Sequence, residues 1–167
     1  LTAKEIGAVS YSVPARGVFR VTLELRHRQL WGYSIGYAGN ALVISVRRPP
    51  EKRALRRLFV AVDAGHGGDN DGAIGSTGSK EKDVNLATAL HLKRLLEEEG
   101  ARVMLTRSGD SSSNNMDRLK RVVGAGADLL ISIHSNSIGN SSDPAKVSGV
   151  STYYRYPWAR PLSMAIL

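Results

Sequence analysis

The sequence contains no cysteine, and this absence removes several kinds of chemistry at once. Disulfide bonds, thiol nucleophiles and thiolate metal ligands all require that residue. No apolar run approaches the roughly 20 residues that a membrane-spanning helix needs, so no transmembrane segment is expected. Aromatic residues make up only 6% of the chain, and they do not alternate with basic residues as they do in proteins that bind single-stranded nucleic acid.

Acidic residues are scarce in the N-terminal third of the chain. Up to Arg57 there are eleven Lys and Arg residues against three acids, whereas from Leu58 onward there are twelve of each. The formal charge of +8 therefore belongs to the N-terminal segment. Such a surface would attract an anionic polymer, which could be nucleic acid, an acidic cell-wall polymer or a membrane face. A solvated basic face without a partner explains the same charge, and no nucleic-acid motif accompanies it.

The chain as a whole is 42% hydrophobic and 23% charged, which is typical of a folded globular protein. Residues 1–50 predict a small β-rich segment, because residues 18–25 and 41–46 are rich in β-branched and apolar side chains. Paired prolines and a run of charges mark a linker at about residues 47–57. Residues 58–167 would then form the main domain. The chain starts with leucine and has no signal-peptide pattern, so we expect a fragment of a longer protein, with the β-rich segment as the end of an N-terminal domain.

After the linker, short apolar runs alternate with stretches of helix-forming residues. Strands separated by helices form mostly parallel sheets with right-handed crossovers, so the predicted fold class is α/β, a mostly parallel sheet flanked by helices. Such sheets bind their ligands at the carboxyl ends of the strands. The predicted elements are strands at 58–62, 102–106, 129–133 and 150–154, helices at 83–99 (Asp83 as N-cap, Gly100 just past the end) and 116–125, a polar loop at 137–146 and the start of a helix at 161–167.

Two of the predicted strands are followed within a few residues by a histidine. His66 follows the first strand inside a glycine-rich loop, and His134 follows the strand at 129–133. Glu81 lies just ahead of the helix at 83–99, where the chain returns to the edge of the sheet. Two neutral imidazoles and one carboxylate would leave a fourth tetrahedral position for water, as in hydrolytic zinc sites. Spacing alone leaves the metal open, because any two histidines and an acid could be arranged in this way.

Other polar residues near these three could support them. Asp63, Asp69 and Asp71 are candidates for orienting His66. Asn136 could orient the neighbouring imidazole or contact a substrate, although packing and turn roles explain it equally well. The glycine-rich loop itself does not fit a nucleotide site, because its spacing is G-x-x-G-x-x-G and no Gly-Lys-Ser/Thr follows.

Five short motifs follow one another between the linker and the last predicted strand. They are Val62-Asp63-Ala64-Gly65-His66-Gly67-Gly68, Gly72-Ala73-Ile74-Gly75, Glu81-Lys82-Asp83-Val84-Asn85-Leu86, Leu105-Thr106-Arg107 and Ala127-Asp128-Leu129-Leu130-Ile131-Ser132-Ile133-His134-Ser135-Asn136. This region resembles the zinc-dependent N-acetylmuramoyl-L-alanine amidases of bacterial cell-wall turnover. The resemblance implies the α/β fold, Zn²⁺ held by His66, Glu81 and His134, and cleavage of the amide that joins the lactyl group of N-acetylmuramic acid to L-alanine of the peptidoglycan stem peptide.

The resemblance also implies a general base, which in this family is a glutamate near the C-terminal end of the domain. From Pro144 to Leu167 the sequence has no Asp or Glu. We therefore expect the catalytic glutamate to lie beyond Leu167, no catalytic residue within the chain, and no activity of this chain by itself. A loss of activity during evolution would leave the same sequence.

Two arginines in this region have structural explanations. Arg118 occupies the place where such enzymes usually carry an arginine ahead of the Ala-Asp strand, and a salt bridge between helix and strand is the predicted role. Arg107 closes a predicted strand, where a structural ion pair is expected.

Three hypotheses about function result. The first is a peptidoglycan amidase, exported to the periplasm or cell envelope, whose β-rich segment positions it on the cell wall. The second is a catalytically incomplete cell-wall binding or regulatory protein that keeps the amidase fold. The third, a basic nucleic-acid binder, rests on charge alone, so we expect peptidoglycan and not nucleic acid as the partner. Metal content separates the first two from the third.

Overall fold

The computed structural model describes residues 4–49, 54–137 and 149–167. Residues 50–53 of the predicted linker and residues 138–148, which include most of the predicted polar loop, lie outside the described residues. The chain divides into two compact units, one made of Leu1–Pro49 with Val150–Leu167 and the other of Pro50–Gly149. Among the described residues, no helix combines the length and the hydropathy needed to cross a bilayer.

The first unit begins with two antiparallel hairpins. β1 (Ile6–Ala15) pairs with β2 (Val18–Leu25), and β3 (Tyr33–Ala38) pairs with β4 (Ala41–Val46). The predicted strands at 18–25 and 41–46 are therefore confirmed with their boundaries. Each hairpin closes through a two-residue turn that contains a glycine at positive φ, which this kind of turn favours.

The C-terminal stretch of this unit differs from the prediction. Residues 150–154 are not a strand, because they find no strand to pair with among the described residues and a strand needs a hydrogen-bonded neighbour. Instead, the Thr152 hydroxyl donates to the carbonyl oxygen of Ser163 at 3.0 Å. A 3₁₀ turn at Pro157–Ala159 leads into α3 (Arg160–Ile166), so the predicted start of a C-terminal helix is confirmed.

The second unit is a parallel three-stranded sheet with helices, which confirms the α/β fold class. A 3₁₀ turn (Leu55–Arg57) precedes β5, and the remaining elements follow in chain order. The sheet order is β6-β5-β7, so β5 is the central strand and is paired on both sides. The elements are β5 (Phe59–Ala64), α1 (Glu81–Glu98), β6 (Arg102–Leu105), α2 (Asn115–Ala125) and β7 (Leu129–Ile133).

The core of this unit lies between the central strand and α1. Val60, Val62 and Ala64 of β5 pack with Ala89 of α1, and all four are almost fully buried. Leucine, isoleucine and valine side chains from α1, β6 and β7 surround them. Because β5 and β7 are parallel neighbours, their carboxyl ends open at the same edge of the sheet.

The start of α1 differs from the prediction by two residues. The helix begins at Glu81 with Lys80 as its N-cap, and not with Asp83 as the cap. The loop before the helix explains this, because the N–H of Glu81 donates to the Ala73 carbonyl at 2.8 Å and the N–H of Lys82 donates to a further loop carbonyl. Two of the free N–H groups of the first turn are thereby satisfied without a capping side chain. At the other end, the residue after the C-cap is Gly100 in the left-handed region, as predicted.

Candidate metal centre

The three predicted ligands come together at the carboxyl edge of the sheet. His66 lies two residues past the end of β5, His134 directly follows β7, and Glu81 is the first residue of α1. Nε2 of His66 is 3.2 Å from Oε1 of Glu81, and Nδ1 of His134 is 3.1 Å from the same oxygen. The two imidazole rings stand nearly at right angles, with their centroids 4.9 Å apart. One ligand atom from each of the three residues lies within 4.8 Å of the other two.

These distances can be compared with those of a tetrahedral zinc site. Metal–ligand bonds of 2.0–2.2 Å in a tetrahedron place neighbouring ligand atoms about 3.3–3.6 Å apart. The two imidazole–carboxylate distances, 3.2 and 3.1 Å, lie just below the lower end of that range. Two nitrogen donors and one oxygen donor are also the donor set of catalytic zinc. The residues present therefore fit a zinc ion held by three side chains.

Glu81 is held as a carboxylate by the backbone around it. Its side chain is only 5% exposed. Oε2 accepts from the N–H of Ala73 at 2.8 Å, and Oε1 accepts from the N–H of Ser135 at 2.9 Å and from Nδ2 of Asn85 at 3.3 Å. Burial by itself would raise the pKa of Glu81, but these three hydrogen bonds and the nearby His66 outweigh it and lower the pKa to about 2. The carboxylate is therefore ionised at any pH at which imidazoles are neutral.

His66 is oriented by Asn70, which was not among the residues predicted to support it. Nδ1 of His66 is 3.0 Å from Oδ1 of Asn70, and this oxygen also accepts from the N–H of Gly72 at 3.0 Å. Because Oδ1 can only accept, Nδ1 must carry the proton. Nε2 then presents its lone pair towards Glu81, as a metal ligand requires.

The aspartates expected to orient His66 have other partners. Asp63 accepts from Thr106 at 2.5 Å, from Ser132 at 2.6 Å and from Arg118 at 3.2 Å. Burial opposes the ionisation of Asp63, but these hydrogen bonds and the arginine lower its pKa. The salt bridge between Arg118 of α2 and Asp63 of β5 confirms the role predicted for that arginine. Asp71 pairs with two lysines, and Nδ1 of His66 bonds Asn70, so the expectation that one of these aspartates orients His66 was wrong.

Two glycines of the loop lie directly against the three candidate ligands. A Cβ on Gly65 would overlap the His134 imidazole. A Cβ on Gly72, which has φ 69°, would come within 2.7 Å of both Oε2 of Glu81 and Cδ2 of His66. The glycine-rich loop therefore lets the backbone approach the three ligands closely, and this explains the glycines without a nucleotide.

Buried cations surround the same loop. Nζ of Lys82 contacts the Gly68 carbonyl at 2.6 Å and the carboxylates of Asp71 and Asp110 at 2.9 Å, and hydrogen bonds to these two acids raise the pKa of Lys82. Arg107 was expected to form an ion pair, but it forms none with the residues that the structure describes. Its hydrogen bonds to the described residues all go to peptide carbonyls, which a sequence pattern does not reveal.

Asn136 follows the centre at the edge of the described residues. It lies two positions beyond His134 and is exposed. Its role as a contact to substrate or imidazole stays a prediction, as does the role of Asp63 towards substrate.

Comparison with known proteins agrees with this geometry. A family model described as N-acetylmuramoyl-L-alanine amidase matches residues 60–165. N-acetylmuramoyl-L-alanine amidase AmiA of Escherichia coli K12 is 40% identical over 106 residues, which cover 64% of this chain and 35% of AmiA. The probable cell wall amidase LytH of Staphylococcus saprophyticus is 37% identical over 125 residues, which cover 74% of this chain and 40% of LytH. The chain thus spans well under half the length of these relatives.

Solved structures give the same result for the fold. The crystal structure of an N-acetylmuramoyl-L-alanine amidase from Clostridium difficile 630 has a TM-score of 0.60 and 30% sequence identity, over 65% of this chain and 60% of that one. The three proposed ligands and the sheet edge that carries them fall inside the region matched by the family model. The chain belongs to the N-acetylmuramoyl-L-alanine amidase family.

Proposed function

We propose that the protein containing this chain is a zinc-dependent hydrolase of the amide between N-acetylmuramic acid and the L-alanine of peptidoglycan stem peptides. The observation that carries the proposal is the convergence of His66, Glu81 and His134 on one point, in a chain that belongs to the amidase family. Zinc and these three ligands are part of the proposal.

The residues of the chain have separate tasks in this site. His66 and His134 would supply neutral nitrogens and Glu81 an ionised oxygen, so the site would carry one negative charge before a metal enters. Asn70 holds the proton of His66 on Nδ1, away from the metal. Zinc held by these three side chains would act as a Lewis acid, which would polarise the scissile carbonyl and lower the pKa of water at the site to near 7.

The general base is a separate part of the proposal. Residues 144–167 have no Asp or Glu, so no carboxylate from this stretch can take a proton from water. We expect zinc binding to be a property of this chain, and hydrolysis to require a general base from outside residues 144–167.

The first experiment measures the metal. Protein purified without chelators is expected to hold one zinc per chain by elemental mass spectrometry, with an anomalous peak at the zinc edge between the three ligands. His134→Ala should lose this zinc. His91→Ala is the matched control, because His91 is exposed on α1 and bonds Arg94 instead of the site. Equal zinc in both variants would overturn the proposed ligand set.

The second experiment measures the reaction. A longer protein that carries a candidate base is incubated with purified peptidoglycan, and the products are identified by mass spectrometry. Release of stem peptides with a free L-alanine amine is expected, and it should stop in the His134→Ala variant. Zinc binding without this product would favour the alternative, a catalytically incomplete wall-binding or regulatory protein.

The domain organisation and location complete the proposal. Residues 1–50 would position the enzyme on the wall, residues 58–167 would form the amidase domain, and the protein would act outside the cytoplasm, in the periplasm or cell envelope. The basic charge before Leu58 and the names of the cell-wall relatives support this. Deletion of residues 1–50 should reduce co-sedimentation with purified peptidoglycan, and unchanged co-sedimentation would contradict the role of this segment.

A further inference from the structure

Two buried guanidinium groups hold the peptide carbonyls at the end of β5. Arg107, just past β6, donates from Nε to the carbonyl oxygen of Ala64 and from Nη2 to that of Gly65, both at 3.0 Å. Arg118, in α2, donates from Nη1 to the same Ala64 oxygen at 3.0 Å and from Nη2 to the carbonyl oxygen of His66 at 2.6 Å. Three consecutive carbonyls therefore accept four hydrogen bonds from charged donors.

Burying two like charges side by side is unfavourable, so their position needs an explanation. Arg107 is 4% exposed and Arg118 is 5% exposed. Arg118 has a carboxylate partner in Asp63, but the remaining donors of Arg107 go to the carbonyls of Lys82 and Gly109, at 2.7 and 3.1 Å. Among the described residues, all hydrogen bonds of Arg107 therefore go to the backbone, which they hold in place.

The two arginines act on the two peptide planes that flank one α-carbon. The peptide plane before His66 contains the carbonyl of Gly65, which accepts a hydrogen bond from Arg107. The peptide plane after His66 contains its own carbonyl, which accepts a hydrogen bond from Arg118. Fixing both planes fixes φ and ψ of the residue between them, and with these the direction of its Cα–Cβ bond. The φ of His66 is 63°, in the left-handed region that residues other than glycine rarely adopt. The arginine contacts hold this conformation, together with a longer hydrogen bond from Nδ2 of Asn85 to the Gly65 carbonyl at 3.3 Å.

We infer that Arg107 and Arg118 are positioning residues, which set the backbone of His66 so that its imidazole faces Glu81 and His134 before a metal enters. We call the two side chains the arginine clamp. This inference rests on the proposed zinc function. A ligand that is already in place loses less conformational freedom on binding, so the clamp should raise the affinity for zinc.

Lysine substitutions test the clamp while keeping its charge. Arg107→Lys and Arg118→Lys each remove the fork of donors that reaches two carbonyls at once. We expect each to weaken zinc binding by about 10- to 100-fold, measured by competition with a chromophoric chelator. The visible absorption bands of the cobalt-substituted protein, which report ligand geometry, should shift as well.

The chain offers a matched control in the same helix. Arg121 donates from Nη2 to the carbonyl oxygen of Thr106 at 2.7 Å, which is also a bond from arginine to a strand-end carbonyl but lies outside residues 64–66. Arg121→Lys should bind zinc within about twofold of the parent and leave the cobalt bands unchanged, because it does not touch the peptides that flank His66.

The outcomes separate the clamp from the proposed function. A parent protein that binds no zinc overturns the function and the clamp together. Folded lysine variants that bind zinc as tightly as the parent overturn the clamp and leave the function standing. If the variants do not fold, NMR of the zinc-free parent decides. A single set of sharp signals for residues 64–67 with a positive φ at His66 supports the clamp, and exchange among several conformations overturns it.

Discussion

Asn70 determines which nitrogen of His66 would be free to bind the proposed metal. Its Oδ1 accepts hydrogen bonds from both the imidazole and the N–H of Gly72, so it ties the ring to the loop that carries it. Groups in this position raise the basicity of the ligand and fix its tautomer, and their loss usually weakens metal binding.

Asn70→Ala should therefore weaken zinc binding by about 10- to 100-fold without unfolding the protein, since Asn70 is exposed. Chelator competition gives the affinity, and nitrogen chemical shifts of the imidazole report the tautomer. Asn70→Asp keeps an accepting oxygen and is the matched control, which should retain most of the affinity. An Asn70→Ala protein with the affinity and tautomer of the parent would contradict the role given to Asn70.

Asp63 links stability to pH through a different set of contacts. Its pKa is lowered in the folded protein by Ser132, Thr106 and Arg118, against the effect of burial. A group whose folded pKa lies below its unfolded value contributes stability above the unfolded pKa, which is about 3.9 for Asp, and loses it as the pH falls towards the folded value.

The Asp63→Asn variant should therefore be less stable at pH 7 by about 2 kcal/mol, because a charged hydrogen-bond acceptor is lost beside a buried arginine. The difference from the parent should shrink as the pH is lowered below about 4. Urea unfolding of both metal-free proteins at several pH values measures this. A destabilisation that stays constant down to the lowest pH would show that the charge of Asp63 is not responsible.

Among the helices and strands, the sequence predicts correctly those whose hydrophobic pattern and flanking turn residues indicate the same boundaries. The strand at 129–133 and the hairpin strands at 18–25 and 41–46 have the predicted bounds, because their apolar runs are flanked by turn residues. The stretch at 150–154 has strand composition too, but composition does not provide a neighbouring strand. The start of α1 was misplaced because loop carbonyls took the place of a capping side chain.

The candidate site was predictable to a similar degree. Histidines close to the ends of buried strands, and an acid close to the start of a helix, can be found in a sequence, and His66, His134 and Glu81 were predicted in this way. Arg107 could not be assigned its contacts in advance, because it bonds peptide carbonyls and every residue has one. Asn70 was not predicted, although its position in the glycine-rich loop, four residues after His66, could have indicated a contact with that histidine.

The N-terminus of α2 provides a test of capping by a side chain. Oδ1 of Asn114 accepts from the N–H of Asp117 at 2.9 Å, which satisfies one of the free donors of the first turn. Asn114→Ala should lower the free energy of unfolding by about 1 kcal/mol, measured by urea denaturation.

The adjacent residue is the control for this prediction. Asn115 is also an exposed asparagine, but it is the first helical residue and not the cap. Asn115→Ala should change stability by less than about 0.5 kcal/mol. Equal effects of the two substitutions would mean that the cap does not stabilise α2.

For the whole molecule, the proposed ligands lie on three elements that are far apart in sequence and meet only in the folded state. His66 follows β5, Glu81 begins α1 and His134 follows β7, so a metal that joins them would tie together the central strand, its neighbour and the covering helix. A ligand that binds the folded state and not the unfolded state stabilises it by mass action. Stability should therefore respond to zinc in the second unit, which contains the site, since the first unit contributes no ligand among the described residues.

Zinc at a free concentration of 100 times its dissociation constant should raise the free energy of unfolding of the second unit by about 2.7 kcal/mol, and a chelator should reverse the change. Differential scanning calorimetry of the full chain, with and without zinc, measures the shift. Glu81→Gln keeps the size of the side chain but removes the charge that zinc would meet, so its transition should respond little to zinc. If the transition of Glu81→Gln rises as much as that of the parent, zinc binds elsewhere, because a neutral amide cannot replace the carboxylate as a ligand of comparable strength.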